Sequence, residues 1–150
     1  MNSLGNSIGS ITMVLLIIAG AGAFKQVLVS SGVSDDIAGL LTKSSMSPLL
    51  LAWLIAAVIR ICIGSATVAG LTTAGILLPL ATGGTVNKEL LVLSIGAGSL
   101  MLSHINDSGF WMYKEYFNLS VKDTFKTWTV METIVSVIGL LGVLVADLLI

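Results

Sequence analysis

Charge is what this sequence has least of: 10% of its 150 residues are Asp, Glu, Lys or Arg, where an ordinary soluble domain carries about a quarter. Water is therefore not the main solvent of the fold. Seven basic residues stand against eight acidic ones, and the lysines are scattered between apolar runs. That pattern lacks the clustered basic footprint of a nucleic-acid-binding protein. Cysteine occurs once, at Cys62 inside an apolar run, so the chain offers neither an intramolecular disulfide nor a cysteine metal site. No metal-ligand cluster, phosphate-binding loop or nucleophile elbow is present, and no cofactor or metal is expected. An enzyme is not expected either, because the single histidine, His104, has no matched serine at a known spacing. Residues 1–10 lack a basic stretch and a cleavage site, so the first apolar segment is expected to be retained.

What is abundant is apolar length. Hydrophobic residues make up 55% of the chain, the mean hydropathy is +1.03, and five runs carry no charge at all: 9–24, 48–59, 61–86, 90–104 and 133–146. A hydrocarbon core about 30 Å thick needs about 20 apolar residues at about 1.5 Å of helix rise each. The expectation is an all-α integral membrane protein, a polytopic helical bundle forming one transmembrane domain over residues 1–150. Its spans are placed at about 8–24, 48–63, 64–80, 89–109 and 130–149. Ser34 is expected to cap a short interfacial helix to about Lys43. Phe110, Trp111, Tyr113, Tyr116 and Phe117 read as an interfacial aromatic belt, and a polar loop with Lys122 and Lys126 leads to the last span. The lysine distribution favours a cytoplasmic side holding Lys25, Lys43, Lys114, Lys122 and Lys126.

The segment 64–80 differs from the others. Gly64, Ser65, Thr67, Gly70, Thr72, Thr73 and Gly75 lie among small apolar residues ahead of Pro79, which predicts a broken or re-entrant helix. Backbone that leaves helical geometry at membrane depth must line a cavity or be buried in protein. Half-helix N-termini and hydroxyls there suit an anion; the alternative is close helix packing by small residues. Arg60 is the one charge of its span. It can meet a substrate carboxylate through two parallel hydrogen bonds, or else snorkel, or neutralise an acid such as Asp107. His104, Asn106, Asp107 and Ser108 form the densest polar group beside an apolar run. A carboxylate near an imidazole there can exchange protons between the two faces of a membrane, unless His104 is simply a hydrogen-bonded interface residue. Glu132 and Asp147 read as boundary residues of the last span.

Three runs carry a wider resemblance: Arg60-Ile61-Cys62-Ile63-Gly64-Ser65-Ala66-Thr67-Val68-Ala69, Ser103-His104-Ile105-Asn106-Asp107-Ser108-Gly109-Phe110-Trp111, and the stretch from Lys122 through Trp128 to Thr133. Together they resemble the gluconate permease family of proton symporters, over nearly the whole chain and in family order. The resemblance implies a multi-pass importer of gluconate or a related sugar acid in the bacterial inner membrane. It implies about one of two inverted repeats, as the carboxy-terminal portion of a longer permease. Substrate contacts are expected from Arg60, Gly64, Ser65, Thr67, Asn106 and Ser108, and proton coupling from His104 and Asp107. The expected partners are the sugar acid, protons, lipid, and either the missing amino-terminal half or further copies of the chain. Another small carboxylate such as D-serine, or a non-transporting membrane subunit, stands as the alternative.

Overall fold

A computed structural model describes residues 46–150 except 84 and 85, together with positions 12, 16, 19, 23, 26, 27 and 30–32. The expected span at 8–24 falls largely outside the described residues, and the expected interfacial helix after Ser34 falls wholly outside them. Among the described residues every regular element is a helix: α1 (Pro48–Ile63), α2 (Ala66–Ile76), α3 (Leu78–Thr82), α4 (Lys88–Gly98), α5 (Ser108–Tyr116), α6 (Val121–Thr124), a π-helical turn (Phe125–Thr129) and α7 (Val130–Leu149).

α1 starts where a proline costs least, with Pro48 in the first turn, where the N–H it lacks would have no helical partner. It ends at Gly64, which takes the left-handed conformation (φ 71°, ψ 21°) and returns its N–H to the carbonyl of Arg60 at 2.8 Å. Between these ends Ala52, Ile55, Ala56, Ile59 and Ile63 are fully buried. α1 is thus the central rod, and α2, α4 and α7 pack on it. Small residues set how close they come. A Cβ on Gly98 of α4 would collide with the backbone carbonyl of Trp53 and lie 2.9 Å from Cβ of Ala56, and a Cβ on Gly139 of α7 would lie 2.9 Å from that of Ala97. Polar bonds tie the same faces together: Ser94 Oγ donates to the carbonyl of Leu49 at 2.6 Å, and Trp53 Nε1 donates to both O and Oγ of Ser136 at 3.2 and 3.1 Å. Close backbone approach through small residues is how helices associate where lipid removes the hydrophobic drive.

Two boundaries differ from the sequence reading. Helix α4 stops at Gly98, and residues 99–107 turn back on themselves, with Leu102 at φ 48°, before α5 opens at Ser108. The chain leaves helical geometry among Gly96, Gly98 and the serines that flank them, where helix propensity is low. At the other end, the expected polar loop before the last span is helix. Ser120 Oγ accepts from the N–H of Asp123 at 3.1 Å and donates to its carboxylate at 2.6 Å, and the π turn carries the chain into α7. The result is a continuous helix over Val121–Leu149, 29 residues long and, among the described residues, the one both long and apolar enough to cross a membrane. Ser136, Leu140 and Val143 face inward, whereas Ile134, Ile138, Leu141, Val145 and Leu148 are exposed. Such an apolar outer face suits hydrocarbon. Phe110, expected in an interfacial belt, is instead fully buried against Trp111 and Phe125.

Exchanging Gly98 for Val should overpack the α1–α4 contact, a cost of about 1–3 kcal/mol. A Cβ at Gly96, two residues earlier, would meet nothing within 4 Å. Thermal unfolding in detergent should therefore show a clear drop for Gly98→Val and little change for Gly96→Val; equal drops would contradict the packing described.

Candidate functional site

A cleft of about 500 Å³ opens where α1 ends and where α2 and α5 begin. Arg60 stands in the last turn of α1, 3% exposed, and its Nη2 donates to Asp107 Oδ2 at 2.6 Å. Asp107 caps α5, accepting the N–H of Gly109 on Oδ1 at 3.0 Å. Its Oδ2 also takes the hydroxyl of Ser103, and that hydroxyl accepts Trp128 Nε1 at 2.6 Å. An indole, a hydroxyl, a carboxylate and a guanidinium so form one chain of hydrogen bonds across the cleft, drawn from three segments far apart in sequence. Thr129, the next residue in the same π turn, donates its hydroxyl to the carbonyl of Ser103 at 2.5 Å.

The ion pair leaves donors over. Nε and Nη1 of Arg60 are buried with no hydrogen-bond partner among the described residues, and Oδ1 of Asn106 is in the same condition. The amide nitrogen of Asn106 is used: it donates to the carbonyls of Ile61 and Cys62 at 2.8 and 3.3 Å, closing the end of α1 from across the fold. Gly64 must be glycine for this to occur, because any Cβ there would collide with the backbone carbonyl of Asn106, and its positive φ is one that L side chains rarely adopt.

Ser65 caps α2 by accepting the N–H of Val68 at 3.4 Å, so Ser65, Ala66 and Thr67 present the first turn of α2 to the cleft, as Ser108 and Gly109 present that of α5. The leading N–H groups of a helix have no partner within it, and its N-terminus carries about half a positive charge. Two helix starts and the residue that carries the buried guanidinium line one cleft, and helix N-termini favour negative charge.

Of the residues singled out from sequence, Arg60, Gly64, Ser65, Thr67, Asn106, Asp107 and Ser108 all line this cleft. His104 is not among its lining residues. It sits half-buried in the turn before Asp107, with Nδ1 2.7 Å from the carbonyl of Leu102 and its own carbonyl accepting the N–H of Asp107. The lining also includes Leu100, Gly109, Met112, Trp128 and Glu132. Glu132, read from sequence as a boundary residue, is on the cleft wall. The helix begins at Val121 rather than near Val130, which moves Glu132 from the end of a span to about 16 Å along it. Trp128 and Glu132 are four apart and so share a helix face, but the π turn that sets which way that face points leaves no mark in the residue pattern.

Apolar helices packed through small residues, with the ionisable groups Arg60, Asp107 and Glu132 gathered in one cleft, fit a helical membrane protein. Comparison with known families goes further: residues 1–149 match the GntP family permease, and the chain belongs to that family. It is 56% identical over 144 residues to the Gnt-II system L-idonate transporter of Escherichia coli, covering 96% of this chain and 33% of that protein. It is 55% identical over 150 residues to the gluconate permease of Bacillus subtilis, covering all of this chain and 34% of the relative. With a high-affinity gluconate transporter of Escherichia coli it shares 53% identity over 149 residues, 99% of this chain and 34% of the relative. The chain thus spans about a third of the length of these curated relatives. No solved structure matches it.

Removing one member of the buried pair strands the other's charge, at a cost of about 3–5 kcal/mol. Asp107→Asn and Arg60→Met should each lower the melting temperature in detergent, and the double variant should recover much of the loss. Strictly additive losses would mean that the two charges do not stabilise each other.

Proposed function

We propose that this chain forms part of a secondary transporter that imports gluconate or a related sugar acid with protons across the bacterial inner membrane, as a multi-pass protein. The observation that carries this reading is Arg60, a buried guanidinium whose Nε and Nη1 have no partner among the described residues and which stands in the cleft between two helix starts. A guanidinium with donors to spare suits a carboxylate, and the N-terminal turns of α2 and α5 add to the favourable field.

The remainder of the cleft suits a polyhydroxylated tail. Ser65, Thr67 and Ser108 bring hydroxyls, and Asn106 brings an acceptor without a partner among the described residues. A volume of about 500 Å³ lies within the usual range of small-molecule sites. The names of the relatives, which mention gluconate and L-idonate, support a sugar acid over an amino acid such as D-serine. In this reading the proton passes through the polar turn of residues 103–108, with Asp107 inside the cleft and His104 beside it.

The break between α1 and α2 is read as the discontinuous helix of one inverted repeat. A midplane site built from two repeats then needs a second half, supplied by the rest of a longer permease or by another copy of the chain. A non-transporting membrane subunit is the competing reading; it leaves the unpartnered buried donors of Arg60 without a use.

The test is uptake of labelled gluconate into cells without gluconate transporters of their own. It compares this chain alone with the chain joined to the remaining two thirds of the Bacillus subtilis gluconate permease, with and without an uncoupler. Uncoupler-sensitive uptake by the joined form is expected. Arg60→Lys keeps the charge but loses the fork, and should cut that uptake by about ten- to a hundredfold, the worth of a charge-assisted hydrogen bond. Uptake indifferent to Arg60→Lys would remove the carboxylate from this site.

A further inference from the structure

The cleft holds two carboxylates, and the fold treats them differently. Asp107 is engaged by Arg60, by the Ser103 hydroxyl and by the N–H of Gly109. Glu132, on the facing wall, is half-buried and has no hydrogen bond or ion pair among the described residues. It sits within the continuous helix Val121–Leu149, long and apolar enough to cross a membrane, and the one cation in the cleft lining is already paired with Asp107. An ionised side chain in such a place is costly unless a partner or a wet cavity receives it.

Counting charge makes the point sharper. With Glu132 ionised, Arg60, Asp107 and Glu132 sum to −1, and a bound monoanion would bring the cleft to −2. With a proton on Glu132 the three sum to zero, and the monoanion and proton enter together as a neutral pair. The groups that face Glu132 across the cleft are Arg60 from α1 and Asp107 from the start of α5; α2, which completes the wall, has no ionisable residue. On its own helix the nearest titratable side chain is Lys126, which is exposed.

We propose that Glu132 carries the symported proton: it takes a proton from water on the entry side, holds it while the carboxylate substrate occupies the spare donors of Arg60, and releases it to water on the exit side. This rests on the transport reading above and departs from it on the proton route: Glu132 on the facing wall, and not the turn of residues 103–108, then holds the charge balance that makes anion entry depend on a proton. Glu132 would sense the substrate through Arg60. An anion bound to the guanidinium adds negative charge close to the carboxylate and favours its protonated form. Release of the anion removes that bias, and the proton leaves.

The experiment uses proteoliposomes of the joined permease described above. An imposed gradient of one pH unit, acid outside, supports about tenfold accumulation if one proton enters with each anion. The parent should accumulate labelled gluconate and alkalinise the external medium when gluconate is added. Glu132→Gln should abolish both signals yet retain exchange of internal for external gluconate, now with little dependence on pH. Glu132→Asp should restore part of the accumulation. Glu132→Gln that accumulates and alkalinises like the parent overturns the proposal while leaving transport intact. Glu132→Gln that loses exchange as well assigns the residue to binding or folding and also overturns it. A parent with neither exchange nor accumulation is a different result, which sinks the transport reading itself.

Discussion

The bond between Arg60 and Asp107 is the constraint from which the rest of the described structure can be reasoned. A guanidinium 3% exposed to solvent, at the end of a helix whose other residues are almost all apolar, is tolerable only if a carboxylate reaches it. The carboxylate comes from 47 positions further along the chain, so the turn after α4 and the start of α5 must return to the end of α1. That return puts Asn106 over the last carbonyls of α1 and makes any side chain at Gly64 impossible. It also brings Ser103 beneath Trp128, which positions the π turn and the long helix behind it. The position of Arg60 is favourable in itself, because a cation in the last turn of a helix faces the negative end of the dipole.

Function would use what this bond leaves unfinished. A guanidinium has five N–H donors in a fixed fork, and a carboxylate that takes only Nη2 leaves the others directed elsewhere. The helix break after Ile63 ends one helix and begins another within a few residues, so that the first turn of α2 lines the same cleft as Arg60. Elsewhere the helices approach one another through small residues, with Gly98 on Trp53 and Gly139 on Ala97.

The membrane character was legible from charge-free runs, and the polar residues of the cleft from their rarity. In a chain with so little polarity, Arg60, Ser65, Thr67, Asn106, Asp107 and Ser108 stand out, and the fold gathers them in one place. Ending α1 at Gly64 was legible for the same kind of reason, since small and hydroxylated residues there cannot sustain a span. Helix α4 was harder: its apolar run continues to His104, yet the helix ends at Gly98, because hydropathy records where apolar side chains are and not where the backbone turns. Glu132 and Trp128 were visible as residues but not as neighbours of the cleft.

Sequence alone determined the solvent of this protein, the apolar lengths that suit it, and the short inventory of groups able to meet an anion, because each of these depends on side-chain chemistry and local spacing. Only the tertiary structure decided which of those groups share a cavity. Arg60 pairs with Asp107 and keeps donors free, Asn106 spends its amide on the end of α1, His104 lies outside the lining, and the π turn aims Trp128 and Glu132 inward. The physical reason is that one extra residue in a helical turn rotates every later side chain by about 100°, a change that no periodicity in the sequence records but that determines which face of a spanning helix looks into the site.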